Sequence, residues 1–202
     1  MLDRLTTQIA WHWTTATHVL RLTPVWVWIV PVVGAFVVNL LNTNAVIAPY
    51  LTKDVAEFIS PIILAMALAL AACLAAMKSH VFYKWQALFA LALFLRELHF
   101  AGTNTGFYIA MVLLIGWASY ARDFLEPFFS DRKIVTLLTA IIWTYLVSKT
   151  FDRHMWDHVL PAGTTSNLFE ENLEILGHTL FLALVVVSIG TKAPASALSR
   201  NP

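Results

Sequence analysis

The chain has 202 residues, 59% of them apolar and 12% charged, against about 45–50% and about 25% in a soluble domain. Its net charge of +1 leaves no footprint for nucleic acid, and its one cysteine, Cys73, excludes an internal disulfide. A mean hydropathy of +0.71 fits an all-α integral membrane protein, in which every backbone polar group must be satisfied within the chain.

Residues 1–23 read as an amphipathic interfacial helix. Leu2, Leu5, Ile9, Trp13, Ala16 and Leu20 recur at spacings of three and four, with Thr, Gln and His elsewhere. The stripe can lie on the membrane surface or pack on the protein's own helices. No cleavable signal is expected, because a mixed polar stretch follows Arg4.

Six apolar segments follow, each near the roughly 20 residues that cross a bilayer core. They are expected at about 25–44, 58–77, 82–101, 104–121, 134–153 and 171–190, so that residues 24–191 form one six-span bundle. Pro31 can kink the first. In the second, Ala65, Ala69, Ala72 and Ala76 form a small-residue stripe suited to close approach of a neighbour. The third carries Arg96, Glu97 and His99. Residues 192–202 read as a mobile tail.

Basic residues set the orientation. With the N-terminus inside, nine of the thirteen Lys and Arg fall on the inner side, and Lys53, Arg96, Lys149 and Arg153 on the outer. The expected location is therefore a bacterial inner membrane with both termini cytoplasmic. Eight of the twelve acids and His99, His154, His158 and His178 then gather at the outer face.

The densest stretch joins the last two spans, from Thr150 to His178. It holds Asp152, Asp157, Glu170, Glu171 and Glu174 together with His154, His158 and His178. On a helix, Glu171, Glu174 and His178 lie within about 60° of one another. Glu174 and His178 sit one to two turns into the span, where an unpaired charge costs at least ~2.5 kcal/mol, so they must face a partner or a polar pocket. Two readings stand for Glu174: an ion pair with Arg96, or a part in chemistry together with His178. Glu170 and Glu171 can be solvated carboxylates that favour the helix N-terminus.

If the fifth span stays helical, His154 and His158 are i and i+4 and can share a metal ion. On the third span Arg96 and His99 share a face while Glu97 points elsewhere, so either that pair or Glu97 lines the site. No nucleophile elbow, phosphate loop or di-iron ExxH pair is present. His12, His18 and His80 sit at the inner boundary.

The His154–His158 spacing resembles the HxxxH pair of the seven-helix zinc hydrolases that include alkaline ceramidases and adiponectin-type receptors. The resemblance covers that pair alone. Here it lies on the penultimate of six spans, without a matching Ser/His pair on an early helix.

The leading expectation is a metal-dependent membrane hydrolase acting on a lipid or lipid-linked substrate. A divalent ion, zinc by donor type, would be held by His154, His158 and His178, with His99 as substitute. Glu174 or Glu171 would be the general base on the bound water, and Arg96 would stabilise developing negative charge. Two rivals are a proton or metal-ion transporter and an accessory subunit of a larger membrane complex. In the latter, histidines on different spans, such as His99 and His178, could ligate haem. Partners are then the bilayer, a lipid substrate, and further copies of the chain or other subunits.

The orientation is testable directly. A reporter fused after Gly163 should behave as extracytoplasmic and one at the C-terminus as cytoplasmic. The opposite pair of readings inverts the topology.

Overall fold

A computed structural model describes residues 13–98, 101–158, 160 and 166–191. Among them the chain is helical, with no strands. The helices are α1 (Trp13–Leu22), α2 (Trp26–Asn42), α3 (Lys53–Met77), α4 (Val81–Glu97), α5 (Thr103–Tyr120), α6 (Arg122–Phe129), α7 (Arg132–Asp152) and α8 (Ser166–Gly190). A single 3-10 turn, Ala48–Tyr50, precedes α3.

Three of these helices, α3, α7 and α8, are long and apolar enough to cross a membrane. The number rises to five if each bent pair counts as one span: α1 with α2, bent by 66°, and α5 with α6, bent by 94°. The six-span expectation is therefore met only in part. Helix α4 has 17 residues and ends on Arg96 and Glu97, so at 1.5 Å per residue it extends only about 26 Å. Of the expected N-terminal helix only Trp13–Leu22 falls among the described residues, and the expected tail at 192–202 lies outside them.

Helix α8 sits at the centre, packed most extensively on α7 and also on α3 and α2. Its inward face carries Leu173, Phe181, Leu184 and Val185, each at most 1% exposed. Helix α4 closes the other side. It meets α3 and α5 along their lengths, but reaches α8 through long side chains: Phe89 against Phe181, with ring centroids 5.2 Å apart, and Gln86 donating to Ser188 at 3.1 Å. Aromatic N–H groups pin the periphery. Trp143 donates to the Trp28 carbonyl at 2.9 Å, and Trp85 to that of Leu114 at 3.1 Å. Large apolar side chains such as Val25, Phe36, Phe58, Val112 and Leu113 stand exposed around the outside. On a soluble protein so broad an apolar surface would drive association; here it suits contact with lipid.

One packing expectation is corrected. Ala65, Ala69, Ala72 and Ala76 face outward, whereas the side of α3 that packs on its neighbours is Ala56, Ser60, Leu64, Ala67, Ala71 and Leu74. The buried series is set by Ser60 and Leu64, which turn inward and carry Ala67 and Ala71 with them at helical spacing. Between the expected fourth and fifth spans the chain is also helical. It forms α6, a short helix whose Leu125 and Phe128 are buried while its charged residues face out. The Phe128 ring stacks on Phe82 of α4 at 4.1 Å.

The chain turns from α3 into α4 at His80. Its Nδ1 accepts from the Phe82 N–H at 3.2 Å and so caps α4, and its ring lies 4.9 Å from that of Phe128. A cap of this kind needs Nδ1 unprotonated. Burial holds the imidazole below its ordinary value of 6.5. The unfolded chain therefore binds this proton more tightly, and the stability contributed is complete above about pH 6.5 and falls as the pH drops through it. Thermal unfolding of solubilised protein at pH 8 and 5.5 should show a loss on acidification that is smaller in His80→Asn, which caps without titrating. Equal losses in the two proteins would exclude this role for His80.

Candidate functional site

The C-terminal ends of α4 and α7 and the N-terminal ends of α3 and α8 converge at one end of the bundle. The convergence is held by charge. Arg96 Nη2 of α4 lies 2.6 Å from Glu174 Oε1 of α8, and both side chains are largely hidden. Lys149 of α7 lies 3.2 Å from the same Glu174 oxygen, 3.0 Å from Glu170 and 3.2 Å from Asp152. Lys53 at the start of α3 lies 3.8 Å from Glu171 and 3.4 Å from Glu57. Glu174 thus faces two cations, one from each neighbouring helix, which offset the cost of keeping a carboxylate in low dielectric.

One turn deeper, the polar chain continues. His178 is fully buried, i+4 from Glu174 on α8. Its Nδ1 is 2.6 Å from the Tyr145 hydroxyl of α7. Its Nε2 is 3.4 Å from Glu97 Oε1 of α4, an ion-pair distance without the alignment of a hydrogen bond. The Tyr145 ring lies directly over Gly177, where a Cβ would stand 2.8 Å from Cε1 and 3.0 Å from Cζ. Only a glycine admits the ring so close to α8.

Two cavities open around these groups. A polar one of about 350 Å³ lies among the helix ends and is lined by six carboxylates, including Glu97, Glu170, Glu171 and Glu174, against three Lys and Arg side chains. The other, of about 490 Å³, runs between α4, α5 and α7. Its walls include Phe89, Leu93, Phe107, Met111, Ile142 and Leu146, with Tyr145 beside them. Arg96, Lys149 and Asp152 line both. The apolar cavity therefore ends where the polar one begins.

The expected site residues fare unevenly. Arg96 and Glu174 meet, as the ion-pair reading required. The choice between Arg96 and Glu97 dissolves: the two stand side by side at the end of α4, and one reaches Glu174 while the other reaches His178, a turn apart on α8. Glu170 and Glu171 are not in the first helical turn, because α8 begins at Ser166, whose hydroxyl donates to the Asp157 carboxylate.

The metal-ligand set does not assemble. Helix α7 stops at Asp152 and residues 153–158 form turns, with His154 at φ 55°. The i, i+4 geometry assumed for His154 and His158 is therefore lost, and with it the resemblance to HxxxH zinc hydrolases. His154 is exposed and pairs with Asp157 at 3.1 Å, whereas His178 is buried and engaged at both ring nitrogens by Tyr145 and Glu97. Among the described residues no group of three His, Cys, Asp or Glu side chains is placed to hold a metal ion. His99 lies outside the described residues. Glu174 lies between two cations, Arg96 and Lys149.

Sequence reasoning missed Tyr145, Lys149 and Gly177. A signal was present: Tyr145, Lys149 and Asp152 recur at i, i+4 and i+7 on α7, and so share one face.

No protein-family model, curated protein or solved structure matches this chain. Fold and site define its class only coarsely, as an all-helical protein with helices apolar enough to cross a membrane and a charge network buried at one end.

Arg96→Ala should lower stability by about 2–3 kcal/mol, less than the loss of a sole partner because Lys149 remains beside Glu174. Arg96→Ala/Glu174→Gln should recover part of that loss. Strictly additive losses in denaturant or thermal unfolding would mean that the pair is not coupled.

Proposed function

We propose that this chain is an integral membrane protein that binds a lipid-like amphiphile at the charged end of its bundle. The observation that carries the reading is the junction of the two cavities at Arg96, Lys149 and Asp152. An apolar chain fits between α4, α5 and α7, and the head group enters the acid-rich chamber. Six carboxylates against three Lys and Arg side chains favour a head group that donates hydrogen bonds, through hydroxyls or an ammonium. The orientation suggested by the basic residues puts this chamber at the outer face of an inner membrane.

This retains the lipid substrate expected from the sequence but not zinc. The transporter reading is less well supported. Towards the other end of the bundle, Phe89, Leu93, Ile141 and Phe181 are buried, and the buried polar side chains Gln86 and Ser188 are bonded to each other.

Binding of pyrene-labelled phospholipids to purified protein tests the proposal. The phosphatidylethanolamine and phosphatidylglycerol probes should bind at least tenfold more tightly than phosphatidylcholine, whose head group donates no hydrogen bond. Ile142→Trp, which fills the apolar cavity, should weaken all three by about tenfold, or about 1.4 kcal/mol. Equal affinities for the three probes that Ile142→Trp leaves untouched would overturn the reading.

A further inference from the structure

The ion pairs account for Arg96, Lys149, Glu170 and Glu174, but not for the group beneath them. A histidine with no exposure, a tyrosine and a glutamate come from three different helices and meet in one line. For packing alone, three apolar side chains of similar volume would serve better, because each buried polar group must recover its desolvation cost. The order of the groups matters. The hydroxyl meets one ring nitrogen and the carboxylate faces the other, on opposite edges of the imidazole. A carboxylate behind Nε2 favours the tautomer that carries its hydrogen there, and leaves Nδ1 as the acceptor for the phenolic proton. The same logic of hydroxyl, imidazole and carboxylate underlies activated hydroxyl nucleophiles and bases on unrelated folds.

The placement of Tyr145 supports this further. Its ring lines the apolar cavity beside Arg96 and Lys149, at the point where the chain of an amphiphile would give way to its head group. Gly177 fixes the ring against α8, so the hydroxyl has one direction in which to point. His178 is reached by Tyr145 from α7 and Glu97 from α4. Arg96, Lys149 and Glu174 charge the layer above, and Lys53 and Glu57 from α3 complete the polar chamber.

We propose that Tyr145, His178 and Glu97 form a proton relay that makes this site an enzymatic one, acting by proton abstraction on the head group of the bound amphiphile. The proposal rests on the amphiphile reading for its substrate class. In the step, the Tyr145 oxygen takes a proton from a head-group O–H or N–H while its own proton passes to His178 Nδ1. The bond broken on the ligand leaves its electron pair on that oxygen or nitrogen, beside Arg96 and Lys149. The imidazolium that forms faces Glu97. Tyr145 is the catalytic residue, His178 accepts its proton, and Glu97 is a positioning residue that acts through the imidazole.

An alkyl sulfonyl fluoride with a sixteen-carbon chain tests this on the full-length protein in detergent or nanodiscs. The Tyr145 oxygen attacks sulfur, an S–O bond forms, fluoride leaves, and the phenolic proton goes to His178. Peptide mass spectrometry should place the label on Tyr145, with saturable kinetics. Tyr145→Phe should abolish that label. His178→Asn should cut the maximal rate at least 100-fold, the scale of a lost general base. Glu97→Gln, which keeps size and hydrogen-bonding capacity, should cut it about tenfold and leave the half-saturating concentration unchanged. A merely structural Glu97 would not produce that split. Should His178→Asn fail to fold, Glu97→Gln carries the test alone. Labelling elsewhere, or a maximal rate unchanged in Glu97→Gln, overturns the relay. Ile142→Trp separates the two ideas: it should raise the half-saturating concentration alone. If it changes nothing while Tyr145 is still labelled and sensitive to Glu97, the cavity reading falls and the relay stands.

Discussion

Arg96 and Glu174 face each other at 2.6 Å between α4 and α8, and the rest of the charged end follows from the need to satisfy them. A carboxylate in low dielectric costs several kcal/mol unless its partners lie close and are well aligned. Glu174 has Arg96 from one helix and Lys149 from another. Lys149 in turn serves Glu170 and Asp152, so the ends of α4, α7 and α8 are tied into one register. Sliding α8 by one residue would rotate its face by about 100°. That would carry Glu174 away from Arg96 and His178 away from Tyr145 together, because the two share a face. A register held at two levels tolerates no such slip.

The second level depends on a close approach. Gly177 leaves the space that the Tyr145 ring occupies, and the next residue, His178, receives the hydroxyl. Glycine in a helix interior costs about 0.5–1 kcal/mol relative to alanine. Here that cost is offset by contact between two helices that hydrophobic exclusion does not drive together within lipid. The same contact holds α7 close to α8, while α4 stands off and meets α8 through long side chains. The apolar cavity opens on the α4–α5 side of α7, where no such close approach occurs.

How much of this was legible in the sequence depended on the kind of signal. The helices α2, α4, α5 and α7 emerged close to their bounds, because long apolar runs and Pro, Gly and polar breaks mark them without reference to tertiary contacts. The polar first turns of α3 and α8, from Lys53 and Ser166, were left out. Helix α6 did not emerge, because Pro127 and three charges among eight residues hide the apolar pair Leu125 and Phe128. The packing face of α3 was misread because alanines surround that helix, so that an alanine stripe can be drawn on more than one side. The charge pair of Arg96 and Glu174 was legible from the expense of leaving either alone. The histidine pair failed on a local detail that spacing does not report: α7 ends at Asp152, and His154 takes a left-handed conformation. Tyr145 was overlooked because a tyrosine in an apolar helix has many uses, and only the fold shows which side chain waits across the interface.

The two ends of the bundle use their polar groups differently, and the difference bears on function. At the far end Lys78 turns to the carbonyls that close α8, at 2.7 Å from Ile189 and 3.4 Å from Ser188 and Thr191, and the Tyr83 hydroxyl donates to the last of these at 2.8 Å. Those contacts satisfy backbone acceptors that a helix terminus leaves open, and a cation there complements the helix dipole. Structure alone is sufficient reason for them. At the near end the acids outnumber the Lys and Arg cations around an open polar chamber, and a buried imidazole stands between a phenol and a carboxylate. Capping a helix requires none of this. On the amphiphile reading proposed above, a head group that donates hydrogen bonds would offset that excess of acids, and the apolar cavity that meets the chamber at Arg96 and Lys149 would hold its tail.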